Sequence, residues 1–451
     1  MSTHPEKLGP KLERLNAALE SGAIDQVRRM LNRSLAPVNV AHLLESTPPR
    51  ERELLWELIE AGMQGEVLQY LNEDIQTEFL NRMDAGQLLS ATEGLDTDDL
   101  ADLLQRLPNA VIQEVLAAME VQERLRVETV LSYPEDTAGG LMNTDTITIR
   151  PDITLDVVLR YVRRHDALPD STDTLLVVTR RDELIGTLAI NRLLVADPSV
   201  SVREVMETDI IKITALTPED DVARLFEKFD LISAPVVSSD GKLLGRITVD
   251  DVVDVIRENA EQRVMSMAGL EDDEDTFAPV WRTSRRRAVW LGVNLVAATV
   301  VSLAIGVFED TIQRITALAV LMPIVSSMGG IAGSQTLTVL IRGIALGHVS
   351  GANVRWLVVR EVLAGMLNGT VWALVVAAMA IVRFDDYLLG AIIAMAMVIN
   401  LLVAALAGTL IPVLLKKLAI DPALSGGVLL TTLTDVIGFV AFLGLATTFY
   451  T

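Results

Sequence analysis

The chain has 451 residues, half of them apolar, with 38 Lys and Arg against 60 Asp and Glu and no cysteine. Such a length exceeds one hydrophobic core and fits two to four domains; the absence of cysteine excludes disulfides, iron–sulfur clusters and thiolate zinc sites. The net charge of −22 is unevenly spread, with 53 acids against 27 bases in residues 1–280 and 7 against 11 in residues 281–451, a balance that disfavours nucleic acid and suits cations.

The chain opens on Met1-Ser-Thr-His-Pro-Glu-Lys, without the apolar run of a cleavable signal peptide. The four histidines (His4, His42, His165, His348) are too scattered for an imidazole-rich metal site. Residues 11–131 read as short amphipathic helices. Ala41-His-Leu-Leu-Glu-Ser-Thr-Pro48 echoes Ala101-Asp-Leu-Leu-Gln-Arg-Leu-Pro108, with a proline opening the next helix each time, which points to a helical-repeat array. In Asp96-Thr-Asp-Asp-Leu-Ala-Asp102, Asp98 and Asp102 are four apart on one helix face, expected to be a solvated face.

Two units of about 60 residues follow. Met142-Asn-Thr-Asp-Thr-Ile-Thr-Ile149 matches Met206-Glu-Thr-Asp-Ile-Ile-Lys-Ile213. Each is followed by a threonine (Thr154, Thr217), an amphipathic helix and two strands, with Asp240-Gly241 as the second hairpin turn. The duplicated pattern resembles a tandem pair of CBS domains. That resemblance implies adenine-nucleotide binding through Gly-x-x-(Ser/Thr)-x-x-Asp. Gly245-Arg-Ile-Thr248-Val-Asp-Asp251 fits this run, making Thr248 and Asp251 the nucleotide candidates, whereas Gly186-Thr-Leu-Ala189-Ile-Asn-Arg192 lacks both hydroxyl and acid. One ATP-type site, or an empty pair, is expected.

After a connecting segment, five stretches are long enough to span a bilayer, near 288–308, 316–341, 357–382, 387–415 and 425–449. Residues 388–415 contain no ionisable side chain, which excludes buried helices of a soluble enzyme. Arg282, Arg285, Arg286, Arg287, Arg342, Arg355, Arg360, Lys416 and Lys417 flank one side, against Arg314 and Arg383 on the other. The N-terminus is therefore expected in the cytoplasm and Thr451 outside. Leu321-Met-Pro-Ile-Val-Ser-Ser-Met-Gly-Gly-Ile-Ala-Gly-Ser-Gln335 places Pro323 and three glycines at mid-membrane, suited to close helix packing or to carbonyls facing a water-filled path. Arg360 and Glu361 read as a snorkelling pair. Asp435 is the only acid between Asp421 and the C-terminus. A carboxylate at that depth costs about 2.5–3.5 kcal/mol to insert and marks an ion pathway. Thr431 and Thr434 are expected to offer it hydroxyls.

This order of parts, with Thr137-Ala-Gly-Gly-Leu-Met142, Val249-Asp-Asp-Val-Val-Asp-Val255, Met322-Pro-Ile…Gly329-Gly-Ile-Ala-Gly-Ser-Gln335, Ile341-Arg-Gly-Ile-Ala-Leu-Gly347 and Asp421-Pro-Ala-Leu…Thr431-Thr-Leu-Thr-Asp-Val436, resembles the MgtE family of magnesium channels over essentially the whole chain. The resemblance implies a multidomain membrane protein: an acidic helical domain (1–132), first and second α/β CBS domains (133–200, 201–256), a connecting plug helix and linker (257–287), and a five-helix transmembrane domain (288–451). It implies a homodimer in the bacterial inner membrane, with Asp435, Gly329, Gly330, Thr431 and Pro323 along the path of a largely hydrated Mg²⁺. It also implies closure by cytoplasmic Mg²⁺ at Asp98, Asp102, Asp220, Asp230, Asp251, Asp254 and Glu258. Ile331 and Gly427 depart from the family's usual Asn and Pro. Asn259, Gln262 and Arg263 stand where the connecting helix is usually more acidic, implying weaker Mg²⁺ gating.

The alternatives are a CBS-regulated channel for Mn²⁺ or Co²⁺, which take oxygen ligands too, an anion channel, disfavoured by the acidic Asp435, and a non-transporting metal or nucleotide sensor, for which Asp435 would be dispensable. An enzyme is disfavoured: no Walker A lysine follows the glycines at 329–333, and no HExxH or Ser/His/Asp arrangement appears.

Overall fold

The computed structural model describes residues 23–450 except 93, 166, 170, 271–274, 350–352 and 419. The start of the expected helical array (residues 11–22) and most of the acidic linker run Glu271–Asp275 lie outside the described residues. The chain forms two compact units, one of residues 1–260 and 273–279, the other of residues 261–272 and 280–451.

The first unit begins with short helices: α1 (Ile24–Arg33), α2 (Pro37–Glu45), α3 (Pro49–Trp56), α4 (Ala61–Leu68), α5 (Glu73–Leu80), α6 (Ala85–Thr92), α7 (Thr97–Gln105), α8 (Asn109–Ala118) and α9 (Val121–Leu131). Prolines set several starts, because Pro at the first turn forfeits a hydrogen bond the helix lacks anyway. Pro37 and Pro49 open α2 and α3, and Pro108 caps α8. One apolar core, including Leu44, Leu55, Leu68, Phe79 and Leu103, runs through this array.

Two small α/β units follow. The first holds β1 (Thr148–Ile149), α10 (Leu155–Val162), β2 (Thr174–Val178), β3 (Leu184–Ala189), α11 (Ile190–Val195) and α12 (Val202–Val205). The second holds β4 (Ile213–Thr214), α13 (Glu219–Phe229), β5 (Ser233–Val237), β6 (Leu243–Thr248) and α14 (Val249–Met267). In both sheets the first strand pairs parallel to the second and the second antiparallel to the third. The duplication read from the sequence is thus repeated in topology. Gly241 takes φ +78° in the expected hairpin turn. The second unit shares a core with the helical array, Ala101 and Val130 packing with Ile213, Val222, Ile247 and Val252. That shared core holds α7 against the start of α14.

The second unit contains α15 (Val280–Gly306), α16 (Glu309–Arg314), α17 (Ala317–Ala345), α18 (Val354–Phe384), α19 (Tyr387–Lys417) and α20 (Pro422–Tyr450). All but α16 are long and apolar enough to cross a membrane. α15 starts eight residues before the apolar stretch, since Arg282 to Arg287 continue the helix. α17 runs unbroken through Pro323 and its glycines. The small residues serve close packing: a Cβ on Gly333 would meet the Leu430 side chain at 2.9 Å, and one on Gly408 the Gly333 carbonyl at 2.8 Å. α19 is the most enclosed span, with Ile393, Ala396, Met397 and Ala404 buried among α17, α18 and α20.

Candidate ion pathway and acidic sensor

Asp435 lies half-buried midway along α20. Its Oδ1 accepts a hydrogen bond from the Ser326 hydroxyl of α17 at 2.5 Å. The threonines expected to serve it do not. Thr431 Oγ1 donates to the Gly427 and Val428 carbonyls, and Thr434 Oγ1 to those of Leu430 and Thr431. In mid-helix a threonine reaches its own i−4 carbonyl more readily than a side chain one turn ahead. The neutral donor on the carboxylate comes from the neighbouring helix. Ser326 was legible only as one of two serines inside the Pro–Gly run, with nothing to distinguish it from Ser327.

One turn toward the N-terminus of α20 from Asp435, Thr431 faces Gly330 of α17, its Cγ2 4.0 Å from where a Cβ on Gly330 would stand. Gly330, Ile331, Ser334, Gln335, Thr338 and Val339 line an open groove on that side of α17. The structure therefore brings Asp435, Ser326, Gly330 and Thr431 to one seam. Gly329 is turned away from it, buried against Asn400, and Pro323 is exposed. Glu361 does more than pair with Arg360 at 3.7 Å: it is mostly buried and accepts a bond from Thr336 of α17 at 3.2 Å.

In the other unit, α7 and α14 place acids face to face. Asp98 is buried rather than solvated, and its Oδ1 has no hydrogen-bond partner among the described residues. The expected solvated face is therefore an interior one, because α7 is covered by the second α/β unit. Burial pushes the Asp98 carboxyl well above the ordinary range, with Asp251, Asp99 and Asp96 adding repulsion. Asp99 is pushed up to about 7 by burial and then by Asp251 and Asp96. Asp102 is raised by burial and by Glu135. Asp251 is raised by burial, although bonds from Thr248 oppose the shift. Asp254 adds charge to the same group.

Glu258 joins this group to a second one. It is raised by desolvation and by Asp254 and Glu73. Glu219, at the start of α13, is pushed up to about 7 by burial, then by Asp136, Glu258, Asp220 and Glu135. Arg106 supplies positive charge nearby, 2.7 Å from Glu73 and 3.5 Å from Glu135. Asp230 belongs to neither group; it ends α13 in a left-handed conformation, φ +50°. Sequence reading missed Asp99, Glu135 and Glu219, although each adjoins an acid in the chain.

Among the described residues no three carboxylates or imidazoles converge closely enough to chelate a bare ion. The facing acids outnumber the bases beside them, Arg106 and Arg257, and Asp98 keeps an oxygen with no hydrogen-bond partner among the described residues. Mg²⁺ keeps several of its waters and needs only one or two direct carboxylates.

Thr248 and Asp251 are already engaged with each other. The Thr248 N–H and hydroxyl donate to Asp251 Oδ2 at 3.0 and 2.9 Å, closing the N-terminus of α14. At the equivalent place in the first α/β unit, Arg192 pairs with Glu207 at 3.1 Å.

Comparison with known proteins sets these sites in a family. Residues 35–136 match the MgtE intracellular N domain, residues 138–198 and 202–258 the CBS domain, and residues 322–445 the MgtE divalent cation transporter domain. The chain is 29% identical to the magnesium transporter MgtE of Bacillus subtilis over 97% of its length and 96% of the relative. It is 30% identical to the magnesium transporter MgtE of Thermus thermophilus over 98% of both chains. The chain belongs to the MgtE family. A crystal structure described as the cytosolic domain of the Mg²⁺ channel MgtE in complex with ATP shares 32% identity, covering 53% of this chain and 98% of that one, with a TM-score of 0.49. As an MgtE member the chain is a multi-pass membrane protein, with its CBS pair and helical domain ahead of five spans.

Proposed function

We propose that this chain conducts Mg²⁺ across the bacterial inner membrane as a homodimer, with Asp435 of each copy on the ion path. The observation carrying this reading is the carboxylate of Asp435 at mid-membrane, held by Ser326 in a chain whose full-length relatives are magnesium transporters. One carboxylate buried in lipid is costly; two facing one hydrated divalent ion offset their burial. The open groove beside Gly330 and Ile331 supports a second copy across it. The basic loops support a cytoplasmic N-terminus.

Gating follows from the acid groups. Asp98, Asp99, Asp102, Asp251, Asp254 and Glu258 repel one another across α7 and α14 when ionised. A divalent ion shared among them favours the packed arrangement, so closure is a difference in ion affinity between two states. Asn259 donates to its own helix at Val255 and adds no charge to the clamp. A nucleotide using Thr248 and Asp251 would have to replace the bonds between them.

The test is Mg²⁺ uptake into proteoliposomes, with Mn²⁺ and Co²⁺ as competitors. Uptake driven by a Mg²⁺ gradient and reduced by raised Mg²⁺ on the side of the soluble domains is expected. No uptake of any divalent ion by folded protein would favour the sensor reading.

A further inference from the structure

Asn400 sits in the middle of α19, fully buried, with Met397, Leu401 and Ala404 buried around it. An amide in such surroundings is unfavourable unless bonded. One N–H donates to the Val325 carbonyl of α17 at 2.8 Å, while Oδ1 has no partner among the described residues. A leucine would fill this space without leaving an acceptor unmet, so plain packing does not account for the amide.

Its position does. A Cβ on Gly329 would stand 2.2 Å from Asn400 Nδ2, and one on Gly438 would stand 2.8 Å from it. The amide occupies a slot made by two missing side chains, one on each helix of the Asp435 seam. Val325 precedes Ser326, Gly329 follows Ser326 by three, and Gly438 follows Asp435 by three. On both helices the amide is therefore wedged about one turn from the Ser326–Asp435 hydrogen bond. The carbonyl it grips belongs to the residue next to Ser326, so its hold fixes where that serine stands.

We propose that Asn400 is a positioning residue of the ion path: by bracing α17 and α20 at Gly329 and Gly438, it sets the separation at which Ser326 holds Asp435 and hence the affinity for the permeating divalent ion. This rests on the reading of Asp435 as the pore acid. A brace changes how tightly the ion is held, whereas a purely structural residue changes only how much protein folds.

The experiment measures initial Mg²⁺ uptake against Mg²⁺ concentration in proteoliposomes, normalised to protein that elutes as folded dimer. Asn400→Leu should raise the half-saturating Mg²⁺ concentration about tenfold, equivalent to about 1.4 kcal/mol. Gly438→Ala, which pushes on the amide from α20, should shift it in the same direction. In the Asn400→Ala background, adding Gly438→Ala should have little further effect, because the group it collides with is gone. This pair reads the brace even if Asn400→Leu does not fold. An Asp435→Asn control separates the two readings. Wild-type uptake by Asp435→Asn overturns the pore acid and this proposal together. Loss of uptake in Asp435→Asn, with unchanged half-saturation in both Asn400→Leu and Gly438→Ala, overturns the brace alone.

Discussion

Arg52 and Asp275, 223 positions apart, form a bidentate ion pair, at 2.9 and 3.1 Å, that ties the segment just before α15 to the helical array. Arg52 is 2% exposed and also donates from Nε to the Leu44 carbonyl. Removing one partner strands a buried charge, so Asp275→Ala should destabilise the first unit by about 3–5 kcal/mol. Replacing both with apolar residues should cost far less. Chemical unfolding followed by amide exchange across α2 and α3 compares the single and double variants; equal losses would contradict the pairing.

The acid groups predict a pH dependence of opposite sign to an ordinary salt-bridged domain. A carboxyl raised in the folded state binds its proton more tightly there, so folding is favoured at low pH and the advantage is lost as pH rises. For Asp99, raised from 3.8 to about 7, and Glu219, raised from 4.5 to about 7, the loss spans about pH 4 to 7. Without divalent ions, amide protection of residues 94–131 and 219–260 should fall across that window. Mg²⁺ should restore it at pH 8 and have little effect at pH 5. Mg²⁺ protection equal at both pH values would separate the metal from these carboxyls.

Ser326→Ala removes the donor on Asp435 while leaving the carboxylate. A hydrogen bond to a charged group contributes about 1.5–3 kcal/mol, so Mg²⁺ affinity in flux should fall about tenfold or more. Ser326→Thr, which keeps the hydroxyl, should recover most of it. An unaffected Ser326→Ala would mean that Asp435 is oriented by something else.

The domain order, the duplicated sheets and the five spans were legible because each leaves a periodic or compositional mark in the chain. What covers a helix leaves no such mark. Asp98 and Asp102 read as a wet face since spacing shows only that they share a side. Packing of Ala101 and Val130 on Ile213 and Val252 is what turns that side inward. Thr434 and Ser326 are the same lesson within the membrane. Local spacing favoured the threonine, and the partner helix supplied the serine instead. Asn400 was invisible for a related reason, since its two glycine neighbours lie on other helices.

The connecting helix carries Asn259, Gln262 and Arg263 beyond Glu258. Changing all three to acids adds negative charge on α14 beyond the acid groups. The Mg²⁺ concentration that closes the channel in patch-clamp records should then fall, by about tenfold for each 1.4 kcal/mol gained. Identical closure curves would show that the sensor ends at Glu258.

The most direct measurement is Mg²⁺ flux into proteoliposomes by wild type and Asp435→Asn, compared at equal amounts of folded, membrane-inserted protein. Asparagine keeps the shape of the side chain and removes its charge. Uptake abolished with insertion intact is the predicted result; uptake at the wild-type rate would contradict a pore built on Asp435.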